Sequence, residues 1–467
     1  MIHRAIKILT FTFVVCVLLL GGCGNFDADA VRREHVEIYR RTISEKTEKV
    51  LSDSNSLSLD DCIQIALQHN LRIRTSEIQK RIAQLEKKVA FSYFLPSVNL
   101  NYGYTKWDRQ PKVKFGSDAA AMHDKSVRDI TWQIQMSIFD PSTWFMYSMH
   151  QRGEEIAELV TEYTKQMTVL EITVMYFHCL GLQEIEKALT SQVTAATALE
   201  KQLRAFYEEG LVSKWQAEQS EVMAVSRRTD LHRTQYALSQ AKADLLTTMG
   251  LSPLADISLE VQTPLNEPGE PLEELIAEAL IVHPQLKIAD REIAIEKEKV
   301  KVAIAGFLPN LIGFANRTHS SDSFMLYPDY WTVGLAGTIS LFNGFANVNE
   351  YKAAKEHQKE AFIQREEATM TLILEVVKAH LNLKNAREEM ILARKAFGMS
   401  SKHFVEIQQQ WQEGLVDSAE MLSVLAEKDR AQMGLMNARF QLQVTTATLL
   451  NVMGKTNIEI KEQENEI

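Results

Sequence analysis

Two stretches of this chain say nearly the same thing. Leu67 to Tyr102 opens with LQHNLRI and closes with FLPSVNLNY; 213 residues later, Leu280 to Ala315 opens with LIVHPQLKI and closes with FLPNLIGFA. YEEGLVS at Tyr207–Ser213 returns as WQEGLVD at Trp411–Asp417, and LLTTMGLS at Leu245–Ser252 returns as LLNVMGKT at Leu449–Thr456, both 204 residues on. A unit of roughly 200 residues has been duplicated, with 9 extra residues in the first copy between its FLP and GLV motifs. That period is too long for a solenoid repeat. It implies a pseudo-twofold architecture in which each half supplies the same part.

Within each copy the hydrophobic period changes twice. Ser58-Leu59-Asp60-Asp61 opens a short helix with a capping-box pattern. His69-Asn70 breaks the chain, and a helix of about 25 residues follows to Phe94-Leu95-Pro96. In the second copy Pro271 starts the short helix and Pro284, after His283, reopens the chain toward Phe307-Leu308-Pro309. After each FLP the period becomes two. Ile130, Trp132, Ile134, Met136 and Ile138 alternate with Thr131, Gln133, Gln135 and Ser137. Trp331, Val333, Leu335, Gly337, Ile339 and Leu341 repeat the pattern. Strands are expected at about 97–106, 129–139, 310–317 and 331–342. Ten-residue strands of this kind suit a transmembrane barrel, and equally a half-buried soluble sheet. The segments between them, Trp107–Arg128 and Arg317–Asp329, are hydrophilic.

The longest elements come next. Neither Ser142–Gly210 nor the chain beyond Asp329 contains a proline. Leu372, Val376, Ala379, Leu383, Ala386, Met390, Ala393 and Phe397 keep a 4-3-4-3 spacing, a coiled-coil seam. Ile172, Met175, Cys179, Leu182, Leu189, Ala196, Leu199 and Leu203 keep it less regularly in the first copy. A helix of ~68 residues is a rod of about 100 Å. Gly210 and Gly414 end the rods, and second long helices return over about Trp215–Met249 and Ala419–Met453. Each half therefore reads helix, helix, strand, strand, very long helix, helix. Two halves give four strands, which cannot close a barrel, and open edges are not tolerated in lipid. Eight strands from a dimer or twelve from a trimer both satisfy that constraint.

The N-terminus reads as an export signal over residues 1–22. Arg4 and Lys7 precede an apolar run from Ile8 to Leu20, too short to span a bilayer as a helix. It closes on Leu20-Gly21-Gly22-Cys23, which resembles a bacterial lipobox. That resemblance implies a lipidated Cys23 at the mature N-terminus, and Gly24 after it implies the outer membrane. Residues 23–57 then form a polar leader, 58–256 the first repeat, 257–270 a linker, 271–456 the second repeat and 457–467 a polar tail. Removing Arg4 and Lys7 takes the net charge from −10 to −12, and no basic patch for nucleic acid is present. Of the four cysteines, Cys62 and Cys179 remain for the body. They align with Leu275 and Leu383 of the other copy, which favours buried free thiols over a disulfide.

The ordered set of duplication, FLP before a strand, Leu341-Phe342-Asn343-Gly344 before the long helix (Ile138-Phe139-Asp140-Pro141 in copy one) and paired GLV turns resembles the TolC family of outer membrane efflux proteins. The resemblance spans roughly 58–456, and the lipobox resembles the lipoprotein branch. It implies a mainly α-helical homotrimer, with a twelve-stranded β-barrel in outer membrane lipid continued by an α-helical coiled-coil barrel. It also implies a passive conduit docking a periplasmic adaptor and, through it, an inner-membrane pump. Gly210, Leu211, Val212 and Ser213, with Gly414, Leu415, Val416 and Asp417, would form the docking tip. The alternative is that they only cap and turn helices. A gate of acidic residues in the family maps to Glu420 and Ser423, with Gln216 and Gln219 in copy one. Only Glu420 keeps the charge, so a cation-favouring ring and a lone solvated helix-start glutamate both remain open. No HExxH, GxxxxGK[ST] or GxSxG motif occurs, and His69, His150, His178, His283 and His380 lack ligand spacing. No enzyme, cofactor or metal site is read; the seventeen methionines mostly sit in apolar seams. The rival from another class is a lipid-anchored periplasmic coiled-coil scaffold without a pore.

Overall fold

A computed structural model describes residues 27–51, 56–261 and 264–455. The signal segment, Cys23 and the 457–467 tail lie outside the described residues. Two matching halves follow a leading helix, α1 (Ala28–Leu51). The first half is α2 (Leu59–His69), α3 (Leu71–Ser92), β1 (Ser97–Lys106), β2 (Lys112–Phe115), β3 (Asp118–Ala121), β4 (Ser126–Phe139), α4 (Pro141–Glu208) and α5 (Lys214–Thr248). The second is α6 (Leu272–Val282), α7 (Pro284–Ala305), β5 (Asn310–Ser320), β6 (Asp329–Thr338), α8 (Ala346–Gln412) and α9 (Ser418–Val452).

Local chemistry sets these boundaries. Ser58 and Asp61 form a reciprocal capping box at α2. Asn70 caps α3 by accepting from the Arg72 and Ile73 amides, and its own amide nitrogen donates to the Thr248 carbonyl. His283 and Pro284 do the same work at α7, and Asp140 and Pro141 at α4. α8 has no side-chain cap; Phe345 precedes it in the left-handed region at φ 67°. β6 ends at Thr338, where the apolar alternation continues to Leu341, and β5 runs on to Ser320.

β1, β4, β5 and β6 form one antiparallel sheet in the order β1-β4-β5-β6, leaving β1 and β6 as edges. Its register aligns Leu100, Trp132, Arg317 and Trp331 across one face, with Val98, Ile134, Ala315 and Val333 beside them. The opposite face carries Asn101, Thr131, Thr318 and Tyr330, then Asn99, Gln133, Asn316 and Thr332. Most large side chains on the apolar face are exposed, including Leu100, Trp132, Trp331 and Val333. Ten tilted residues span about 25 Å, the height of a lipid-facing band.

Helices continue below the sheet. Near it they lie side by side as α3-α4-α7-α8; toward the far end the order is α5-α4-α9-α8. The seam Leu372, Val376, Ala379, Leu383, Ala386 and Met390 is buried throughout. One core gathers α2, α4 and α5 around Ile172, Tyr176, Leu245 and Met249; another gathers α6, α7, α8 and α9 around Leu275, Val376 and Leu449. Cys62 and Cys179 are free thiols inside the first core.

Three features depart from the sequence reading. The leader contains α1, which is tied to the body by Lys46 donating to the Gly250 carbonyl and by Thr47 accepting from the Ser252 amide. The linker is packed, because Ile257 and Leu259 are buried and Leu259 bridges to Leu57. The Trp107–Arg128 segment holds the β2–β3 hairpin. It is fastened to the β5–β6 loop through Asp322, which accepts from the Asp124 amide and meets His123 Nδ1 at 2.5 Å. No described helix is long and apolar enough to cross a membrane, which says nothing about strands.

Candidate functional site

The far end of the rod brings both GLV turns together. In each, the glycine is left-handed, at φ 77° for Gly210 and 75° for Gly414. Leu211 N–H donates to the Phe206 carbonyl at 2.8 Å, and Leu415 N–H to Gln410 at 2.8 Å. These six-to-one bonds close Schellman turns, which satisfy carbonyls that a helix end otherwise leaves open. Ser213 then starts α5 and Asp417 starts α9 as side-chain caps.

The three residues after each glycine divide their roles. Val212 and Val416 turn inward. Val212 packs against a core of Leu199, Leu203, Leu422 and Leu425, and Val416 against Ile407, Met421 and Val424. Phe404 and Trp411 belong to both clusters, so one apolar joint fixes the two turns relative to each other. Leu211 and Leu415 point outward, 66% and 69% exposed, with Trp215 beside the first at 70%. The tip therefore presents paired apolar knobs on a rigid base.

The expected gate positions separate. Gln216 is the capping box at Ser213, its side chain accepting from the Ser213 amide at 2.8 Å, and Gln219 is half-buried. Glu420 donates its amide to Asp417, but its carboxylate does not return the bond, and Glu420 and Ser423 are both exposed. Of the four positions, only the second-copy pair is exposed.

A buried polar layer above the tip was not read from sequence. Asp429 of α9 meets Arg227 of α5 at 3.1 Å, and its side chain is 3% exposed. Burial pushes the Asp429 carboxyl above its usual range, against the pull of Arg227. Gln192 joins Gln432 at 3.2 Å nearby. One buried oxygen each of Gln192, Gln219, Ser401 and Asp429 has no hydrogen-bond partner among the described residues. The sequence signal was faint: Asp429 stands where the first copy has Val225. Among the described residues no group of three or more His, Cys, Asp or Glu is arranged to hold a metal.

The sequence profile described as outer membrane efflux protein matches residues 62–251 and 275–455, one match for each structural half. The chain belongs to the outer membrane efflux protein family. Solved structures agree in fold. A membrane protein from Pseudomonas aeruginosa superposes with a TM-score of 0.76 at 14% identity, covering 85% of this chain and 93% of that one. The Campylobacter jejuni CmeC outer membrane channel gives 0.76 at 15% identity, covering 85% of each. The Vibrio cholerae outer membrane protein VceC gives 0.74 at 16% identity, covering 85% and 96%. No curated protein sequence matches the chain. This chain is thus an efflux-family outer membrane protein with a long helical extension.

Proposed function

We propose that three copies of the chain close a passive conduit across the outer membrane and periplasm. Its tip docks a periplasmic adaptor and, through that, an inner-membrane pump. The observation that carries the reading is the four-stranded sheet with an apolar outer face and two open edges. Unpaired backbone groups are not tolerated in lipid, so β6 of one copy has to meet β1 of the next. Three copies give the twelve strands that the family resemblance implies. The opposite face, lined by Asn, Gln and Thr, suits a water-filled lumen.

Docking belongs at the GLV turns, because exposed Leu211, Leu415 and Trp215 offer apolar knobs that a helical hairpin can seat between. Glu420 is the gate residue in this proposal, with Ser423 beside it; Gln216 is a cap instead, and Gln219 contributes no charge. Lipid attachment at Cys23 would add an anchor to the strands. The scaffold alternative leaves the lipid-facing rows without a role.

Negative-stain electron microscopy of the detergent-extracted mature protein tests the reading. A threefold tube with a detergent belt at the strand end is expected. Separate rods, or particles without a belt there, would overturn it.

A further inference from the structure

Every basic side chain of the four-stranded sheet stands on one face and at one end. Lys106 of β1, Arg128 of β4, and Arg317 and His319 of β5 are the only Lys, Arg or His residues in these four strands. The register puts all of them on the apolar face. Arg128 lies opposite Tyr104, His319 opposite Ile130 and Arg317 opposite Trp132, and Lys106 is two residues beyond Tyr104. The Asn, Gln and Thr face carries none. All four sit toward the loops, whereas the apolar rows at the helix end, with Val98, Met136, Gly313 and Leu335, are uncharged.

Solvation alone would distribute these charges differently. On the lumen face a cation stays in water; on a lipid-facing row it is costly at mid-membrane and tolerated only near the interface. Side chains that merely snorkel would mark both interfaces, yet only the loop end is marked. From Val98 to Lys106 a strand tilted by about 40° climbs about 20 Å, which brings Lys106 and Arg128 to the level of the outer headgroups.

Two of the cations are uncommitted. Arg317 is held at 2.8 Å by Asp329, the one acid on that face, and lies over the Trp331 ring at 5.9 Å. Lys106 and Arg128 are exposed and have no acidic partner among the described residues. Lys106 is opposite Ser126, and so diagonal to Arg128, about 7–8 Å away. Ser321 N–H donates to the Arg128 carbonyl, which sets His319 on the other diagonal. The exposed rings of Tyr102 and Tyr104 lie on the membrane side of this line.

We infer that Lys106, Arg128 and His319 bind the phosphate of an outer-leaflet lipid, whose headgroup rests on Tyr102 and Tyr104 and whose acyl chains follow the apolar rows below. It rests on the proposal that this face meets lipid. The planar Arg128 guanidinium suits two phosphate oxygens at once, the Lys106 ammonium takes a third, and the aromatic rings suit the boundary between headgroup and chains.

Native mass spectrometry of the detergent-extracted mature protein tests this, with lipid A, dephosphorylated lipid A and inorganic phosphate added in turn. Lipid A is expected to stay bound; the dephosphorylated form and inorganic phosphate are not. Lys106→Gln with Arg128→Gln should weaken lipid A binding about tenfold or more, as loss of a charged hydrogen bond does. Arg128→Lys keeps the charge and should keep most of the binding. Lys112→Gln with Lys114→Gln removes the same charge from the β2–β3 hairpin, where both side chains are exposed, and should change nothing. Equal retention of dephosphorylated lipid A, or equal weakening by the hairpin pair, overturns the inference. Inorganic phosphate retained through Lys106 and Arg128 overturns the lipid as its ligand. In each of these cases a detergent belt at the strand end leaves the barrel standing, and a missing belt removes the barrel and the inference together.

Discussion

Placing isoleucine at Gly210 or Gly414 tests whether the tip depends on its left-handed glycines. A Cβ built at either position meets nothing within 4 Å, so no clash adds to the backbone term. That term is about 1–2 kcal/mol for a branched side chain held in the left-handed region. A local opening of the turn should then become about 5–30-fold more populated. Glu209 and Glu413 sit directly before the two glycines, so a glutamate-specific protease reads that opening at each turn. Cleavage after Glu209 in Gly210→Ile, and after Glu413 in Gly414→Ile, is expected to accelerate by that factor while the channel stays assembled. Gly→Asn at the same positions should cleave near the unsubstituted rate, because asparagine tolerates this conformation. Export measured in cells completes the test, and is expected to fall in both isoleucine variants. Unchanged cleavage would refute the strain argument, and export surviving both substitutions would refute docking at the tip.

Glu420→Gln is expected to move the reversal potential of reconstituted channels, measured in a salt gradient, toward zero; no change would remove Glu420 from the constriction. Gly250→Ala should cost about 2–4 kcal/mol, read as a fall in thermal stability, because its Cβ would stand 2.2 Å from the His69 carbonyl oxygen at φ 75°. Burial pushes the Cys62 and Cys179 thiols up to about 12 from 9.0. The folded state therefore holds protons that the unfolded chain releases above pH 9. Stability is full below that pH and falls toward pH 12, by up to about 1.4 kcal/mol per pH unit for each thiol. Denaturant unfolding at pH 8 and pH 10.5 should show the loss, and Cys62→Ala with Cys179→Ala should flatten it.

Most of the fold was legible because its signals are local and repeated. Asn70 and His283 mark the same helix start in both copies, and Gly210 and Gly414 the same turn, so each reading had an internal check. What was missed depends on distant partners. α1 is mostly polar, and its place comes from Lys46 and Thr47 reaching the α5 terminus and from Val50 and Leu51 packing on the first core. Gln216 aligned with a gate position, yet three residues after Ser213 it is equally a capping residue, and the backbone amides claimed it. The Arg227–Asp429 pair joins residues 202 apart on helices that barely touch, and no spacing rule reaches that far.

α8 shows where periodicity alone stops. Leu372 through Phe397 was recognised as a seam because its positions repeat at helical spacing, and the structure buries the run from Leu372 to Met390. Ile363, Met370, Leu374, Leu381, Leu392 and Met399 repeat at the same helical spacing, on the opposite face, and every one is exposed. A helix with two opposed apolar stripes has little net amphipathic direction, so its sequence cannot rank one face above the other. The duplication supplies the ranking. The α4 positions matching Ile363, Leu374, Leu381 and Leu392 are covered, so the stripe exposed on α8 is the one its counterpart helix buries. A lumen wall would carry polar residues at those positions, as the sheet does on its Asn, Gln and Thr face. An exposed apolar line running from the strands toward the tip instead suits contact with protein, as the closed ring proposed above would give it, and α3 and α5 carry exposed apolar lines of their own.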